Sequence, residues 1–123
     1  MNQNNEITEK IIGCAIEVHR NIGPGLLESI YEKALCYELE SIGVLYKSQV
    51  LVPVTYKKTC MGEFRLDLIV EDQVIVELKA VERNDAVFKA QLMSYMKLTD
   101  KKLGLLINFN VPLLKDGVTR IVL

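Results

Sequence analysis

Glu77-Leu78-Lys79 stands inside the apolar run Val74-Ile75-Val76-Glu77-Leu78-Lys79-Ala80-Val81, and Asp67 stands inside a second, Phe64-Arg65-Leu66-Asp67-Leu68-Ile69-Val70. Runs this apolar read as buried strands, where a lone carboxylate or amine persists because it is paired, holds a metal or does chemistry. Residues two apart on a strand share a face, so Glu77 and Lys79 stand side by side. An aspartate on one strand and Glu-x-Lys on the next make the donor set of an acidic divalent-metal site with a cation beside it.

These residues need elements to position them. Ile7, Ile11, Ile12, Ala15, Ile16 and Val18 recur near a 3.6-residue period and predict a helix over 7–20, with Thr8 as a plausible cap. Asn21-Ile22-Gly23-Pro24-Gly25 breaks it, and Leu27, Ile30, Tyr31, Ala34, Leu35, Leu39 and Ile42 predict a second helix over 26–42, ending at Gly43. Three β segments follow at 45–56, 63–70 and 74–81, joined by turns at 57–62 and 71–73 that are short enough for antiparallel hairpins. Asn84 and Asp85 are placed to cap a third helix over 85–99, on which Val87, Phe88, Gln91, Leu92 and Tyr95 fall at helical spacing. Leu103 to Phe109 is another apolar strand, and 118–122 a shorter one after Lys115-Asp116-Gly117.

The order ααβββαβ(β) describes an α/β (α+β) chain with one mixed sheet flanked by helices. The third helix serves as a crossover, which lets the Glu-x-Lys strand and Leu103–Phe109 lie parallel and central. One condition is geometric. A three-residue loop at Glu71-Asp72-Gln73 sets Asp67 opposite Glu77, whereas a two-residue turn puts the carboxylates on opposite faces.

At 123 residues the expectation is a single domain spanning 1–123. Charges interrupt every apolar stretch, so no membrane helix is expected, and the N-terminus lacks the pattern of a secretory signal, which makes the cytoplasm the default location. Cys14, Cys36 and Cys60 share no C-x-x-C spacing. Cys14 and Cys36 read as small buried hydrophobes, and a disulfide framework or zinc site is not expected. The single histidine, His19, reads as a helix-end surface residue. A net charge of −1 argues against a strongly basic coat for nucleic acid, although catalytic carboxylates lower the formal charge of a nuclease.

The element order, with Asp67 on the second strand and Glu77-Leu78-Lys79 on the third, resembles the PD-(D/E)XK nuclease superfamily and its restriction-endonuclease-like fold. Gly25-Leu26-Leu27-Glu28-Ser29-Ile30-Tyr31 matches the motif that names the small GxxExxY protein family. Gln91-Leu92-Met93-Ser94-Tyr95 is similar to the Q-x-x-x-Y motif of RecB-like nucleases in that superfamily. The resemblance implies a metal-dependent nuclease that cleaves DNA (or RNA). It implies that Glu28 completes the metal site, that Gln91 hydrogen-bonds the site or substrate, and that Tyr31 and Tyr95 contact substrate or support the site.

Elementary chemistry stands beside that resemblance. Phosphodiester hydrolysis needs charge neutralisation on the phosphate, a nucleophilic water near neutral pH and a stabilised leaving oxygen, and Mg²⁺ (or Mn²⁺) serves all three. Magnesium prefers oxygen and keeps several waters, so Asp67, Glu77 and the backbone carbonyl of Leu78 suffice as direct ligands. Lys79 then positions the attacking water or stabilises developing charge.

Plainer readings exist for each residue alone. Asp67 could cap a turn or pair with Arg65 or Lys79, and Glu77 with Lys79 could form a salt-bridged stripe on an exposed edge strand. The whole chain could be a non-catalytic nucleic-acid- or protein-binding domain on the same scaffold. A homodimer through the Val118–Leu123 segment is a further option.

Overall fold

The structure is a computed structural model, which describes residues 3–83 and 85–123. Helix α1 (Gln3–Ile22) and helix α2 (Glu28–Ser41) precede strands β1 (Tyr46–Tyr56), β2 (Thr59–Val70) and β3 (Val74–Lys79). Helix α3 (Ala86–Thr99) leads to β4 (Leu103–Asn108), a short 3₁₀ turn (Leu114–Gly117) and β5 (Val118–Val122). The strands form a five-stranded sheet in the order β1-β2-β3-β4-β5. β1–β2, β2–β3 and β4–β5 pair antiparallel and β3–β4 parallel, so the fold class is the mixed-sheet, helix-flanked one read from the sequence.

Each helix carries an apolar stripe that finds one sheet face. On α1 the buried set is Ile11, Cys14, Ala15 and Val18, and on α2 it is Tyr31, Leu35 and Leu39. Both pack with Val74, Val76, Leu78, Leu103, Leu105 and Ile107 into one core. α3 presents Leu92 and Met96 to the opposite face, against Leu66, Ile75, Leu106 and Ile121. β3 and β4 are thus covered on both sides, which is why neither alternates in polarity. The approach of α3 to β4 is close: a Cβ on Gly104 would lie 2.6 Å from Met96 Sδ and 3.2 Å from Leu92.

Several local expectations need correction. α1 begins at Gln3, so Thr8 is a buried residue within the helix and not its cap. His19 is buried, 9 % exposed, with Nε2 at 2.8 Å from the carbonyl oxygen of Val111, in the segment that leads from β4 to the 3₁₀ turn. The 57–62 turn is tighter than expected: Lys57 and Lys58 alone make it, with φ of 50° and 66°, and β2 starts at Thr59. Asp85 occupies the N-cap of α3 without a side-chain cap hydrogen bond, and Asn84 lies outside the described residues. β3 stops at Lys79 instead of 81, because a side chain takes over the pairing there. Asn108 Oδ1 accepts from Val81 N–H at 3.1 Å and Asn108 Nδ2 donates to Val81 O at 2.9 Å.

Cys14 is buried and Cys36 half-buried, and no helix among the described residues is long and apolar enough to cross a membrane.

Candidate active site

The loop after β2 holds three residues, giving the pairs Val70↔Val74, Ile69↔Ile75 and Leu68↔Val76. The next row in that register is Asp67 opposite Glu77, and there the ladder ends. The carboxylates replace it: Glu77 Oε2 accepts from the Asp67 backbone N–H at 2.9 Å, and Asp67 Oδ2 accepts from the Leu78 N–H at 2.8 Å. Each acid is therefore wedged into the fork where β2 and β3 part, held by the backbone of the other strand. A carboxylate that accepts a backbone N–H is fixed in direction without being neutralised.

The same row turns the outer ribbon over. Before it, Tyr46 on β1 and Leu68 and Val70 on β2 face the α1–α2 core; beyond it, Val50, Val52, Phe64 and Leu66 face α3. Both strands change face across this row, where Gln49, opposite Asp67 and between the pairs Ser48↔Leu68 and Val50↔Leu66, adopts a left-handed φ of 54°. The Gln49 amide then grips α2, with Nε2 at 2.7 and 2.9 Å from the two carboxylate oxygens of Glu32.

α2 delivers Glu28 in its first turn. The residues of the G-x-x-E-x-x-Y motif explain how. Gly25 has a φ of +92°, which a Cβ would strain. Tyr31 is fully buried and stacks on Phe109 with ring centroids 4.4 Å apart. Its hydroxyl donates to Gly23 O at 2.6 Å and accepts from Leu26 N–H at 3.1 Å. Tyr31 is 0 % exposed, and its hydroxyl ties down the loop from which Glu28 emerges.

Charge crowding marks the cluster. Burial raises the Glu77 carboxyl to about 8, and the Asp67 charge adds to the rise while the Asp67 N–H and Lys79 oppose it. Burial likewise raises Asp67, against the Leu78 N–H, Lys79 and Glu77. Glu28, although partly open to solvent, is raised by burial, then by Asp67 and Glu32, with Lys79 opposing. Glu32 is raised by burial and by Asp67, against the Gln49 hydrogen bond. Tyr95 is raised by burial and by Glu77 and Asp67. Several perturbed groups within electrostatic reach of one another make this the candidate site of the fold.

Lys79 stands apart from its acids. Its Nζ lies 4.5 Å from the centroid of the Phe88 ring on α3, and among the described residues no ion pair within 4.0 Å joins it to Asp67 or Glu77. A closed salt bridge therefore does not consume the site, and β3 is central, which removes the edge-strand reading of Glu77 and Lys79. Tyr95 stacks on Phe64 of β2 with centroids 4.2 Å apart, and Gln91 is exposed one turn before it on α3.

The structure thus brings Asp67, Glu77, Lys79 and Glu28 into mutual electrostatic range, with Tyr95 at the edge and Tyr31 behind. Sequence reasoning missed Glu32, Gln49 and Asn108. For Glu32 a signal was present in its four-residue spacing from Glu28; Gln49 and Asn108 are visible only through backbone geometry.

Hard oxygen donors fit a divalent ion here. The backbone hydrogen bonds commit Oδ2 of Asp67 and Oε2 of Glu77, leaving one oxygen of each, and their mutual repulsion is what a cation relieves. Among the described residues no three carboxylate, histidine or cysteine side chains close on one point, so water must fill much of any coordination shell. The concave cleft lined by Leu45, Tyr46, Lys47, Ile69, Glu71 and Asp72 contains none of Asp67, Glu77, Lys79 or Glu28.

No curated protein and no solved structure matches the chain. A family profile described as the PD-(D/E)XK nuclease superfamily matches residues 5–121, nearly the full length, and proteins of that superfamily usually use divalent metals. With the fork of carboxylates beside Glu-x-Lys on a mixed sheet, the chain belongs to the PD-(D/E)XK nuclease superfamily.

Proposed function

We propose that this chain is a metal-dependent phosphodiesterase acting on nucleic acid, DNA before RNA, and that it is a GxxExxY-type member of its superfamily. The observation that carries this reading is the fork, in which Asp67 and Glu77 each surrender one oxygen to the opposing strand and keep one for a ligand. Asp67, Glu77 and the Leu78 carbonyl would hold Mg²⁺ or Mn²⁺, with Glu28 completing the shell through water. When bound, the ion supplies a polarised phosphate oxygen and a water acidic enough to attack near neutral pH.

The chain's own residues supply the rest. Lys79, free of a tight ion pair and parked over Phe88, can swing its ammonium toward the scissile phosphate, where it orients the attacking water and offsets developing charge. The Leu78 and Asp67 amides stop both acids from rotating away, so the site is set before substrate arrives. Tyr95, in electrostatic range of Glu77 and Asp67, and the exposed Gln91 one turn before it on α3 would contact the substrate or support the site.

The test is direct: purified protein incubated with single- and double-stranded DNA and with RNA, with and without Mg²⁺ or Mn²⁺. Hydrolysis that vanishes on chelation and drops at least a hundredfold in Glu77→Ala and Lys79→Ala supports the reading. Hydrolysis unchanged in either variant defeats it. The second reading, a non-catalytic binding domain on this scaffold, draws on one observation: Lys79 contacts Phe88 and not the acids. Calorimetric titration with Mn²⁺ separates the two, since only the enzyme reading requires binding that is lost in Asp67→Asn.

A further inference from the structure

Strands β1 and β2 have 11 and 12 residues, about twice the length of β3, β4 and β5 at 6, 6 and 5. Beyond the Asp67 row they lose their third strand, yet their own ladder continues from Val50↔Leu66 to Tyr56↔Thr59. The root of this ribbon is anchored: Phe64 stacks on Tyr95, and Val50 and Val52 pack with the Leu92–Met96 cluster. From residue 55 to 63 every residue is exposed. At the antiparallel rise per residue the tip stands about 25–30 Å from the Asp67 row.

The tip is unusual in chemistry as well as reach. Lys57 and Lys58 occupy the two central turn positions, both left-handed at φ 50° and 66°. That turn favours Asn-Gly, because left-handed backbone is costly for a long side chain. Strain of this kind persists where a function holds it. Residues 50–66 carry three basic side chains, Lys57, Lys58 and Arg65, against one acid, Glu63, in a chain of net charge −1.

We propose that this hairpin is a DNA-contacting arm that lies along the major groove of a duplex and sets Lys57 and Lys58 against phosphates roughly eight base pairs from the bond at the carboxylate fork. The inference rests on the reading of the fork as a nucleic-acid site. A two-stranded ribbon fits the major groove of B-form DNA, whereas that of an RNA helix is too narrow to enter. The arm leaves the sheet at the row of Asp67 itself, so a duplex seated at the fork meets the ribbon at its root.

Lys57→Asn with Lys58→Gly tests this cleanly, because it removes both charges while giving the turn the residues it favours. Binding of a fluorescent 20-base-pair duplex would be followed by anisotropy in EDTA, where no hydrolysis intervenes, from 50 to 200 mM salt. Two lost phosphate contacts lower the slope of log affinity against log salt by about 1.8, so wild type loses roughly twelvefold more affinity over that range than the variant. The variant should melt at or above the wild-type temperature and bind Mn²⁺ unchanged, and the exposed Lys115→Asn control should keep the wild-type slope. Equal slopes for wild type and the turn variant overturn the proposal. So does a wild-type dimer, seen by light scattering, that the turn variant dissolves without changing the slope, which makes the arm a protein interface. Should wild type bind the duplex through the arm and cleave nothing, the arm stands and the enzyme reading falls.

Discussion

Glu77→Gln should make the metal-free protein more stable while removing its capacity to bind metal. The Glu77 carboxyl titrates at about 8 in the folded chain, against roughly 4.3 when unfolded. Its ionised form is thus penalised by folding. The penalty is absent below about pH 4, grows through the window from pH 4.3 to 8, and is complete above 8. At 1.36 kcal/mol per unit the ceiling is about 5 kcal/mol. Glutamine keeps an oxygen for the Asp67 N–H and sheds the repulsion, but its amide nitrogen must be accommodated, so a gain of about 2–4 kcal/mol is expected at pH 8.5. For a chain of this size that raises Tm by about 8–15 °C. Thermal melts of both proteins in EDTA at pH 5, 7 and 8.5 provide the assay. The gap should shrink to about a third or less at pH 5, where the wild-type carboxyl is protonated. Adding 10 mM Mg²⁺ should then raise the wild type alone, by about 1.4 kcal/mol if its Kd is near 1 mM. A Glu77→Gln protein less stable than wild type at pH 8.5 in EDTA, or a gap that ignores pH, refutes the argument that burying an ionised Glu77 beside Asp67 opposes folding.

Three further changes probe how the site is held. Tyr31→Phe removes the hydroxyl that joins Gly23 O and Leu26 N–H, so it should cost about 1–3 kcal/mol in urea unfolding and weaken Mn²⁺ binding, because the loop that delivers Glu28 loosens. Asn108→Ala strips the partners of Val81 N–H, Val81 O and Asn110 N–H; a loss of about 2–4 kcal/mol and faster amide exchange at Val81 are expected. Gly104→Ala forces a Cβ against Met96 Sδ and should destabilise by about 1–3 kcal/mol, and Met96→Ala in the same chain should recover part of that loss, as a double-mutant cycle would measure.

Much of this arrangement was legible from pattern alone, for a physical reason. Apolar runs at β3 and β4 identify strands covered on both faces, and the three residues Glu71-Asp72-Gln73 set the register that puts Asp67 in the row of Glu77. Periodicity also found the three helices, although it missed the true start of α1, because Gln3 to Glu6 carry no apolar signal. What escaped was geometry without a residue signature. Nothing in Lys57-Lys58 announces a two-residue turn, since left-handed turns are normally written with Asn and Gly. Gln49 gave no hint of a left-handed kink, and without it the face change at Asp67 could not be foreseen. His19 looked like a surface residue because its partner, Val111, lies 92 positions away in sequence.

The kink at Gln49 also bears on why the acids sit where they do. In an uninterrupted sheet, Asp67 N–H and Leu78 N–H would be bound by backbone carbonyls, and a carboxylate on either strand would stand perpendicular to the sheet with no fixed direction. Where the outer ribbon turns over, the β2–β3 ladder stops at Leu68↔Val76, three residues before β3 itself ends, and the Asp67 and Leu78 amides hold side chains instead. The acids are then as rigid as the backbone that grips them, which is what a site that must gather a hydrated cation and a phosphate requires. Glu32, clamped by the same Gln49, ties α2 to the kink and so keeps Glu28 in range of Asp67. The raised carboxyls and the left-handed glutamine thus meet at a single row, where the fold forgoes ladder hydrogen bonds and buries two acids, the arrangement that the proposed metal site would use.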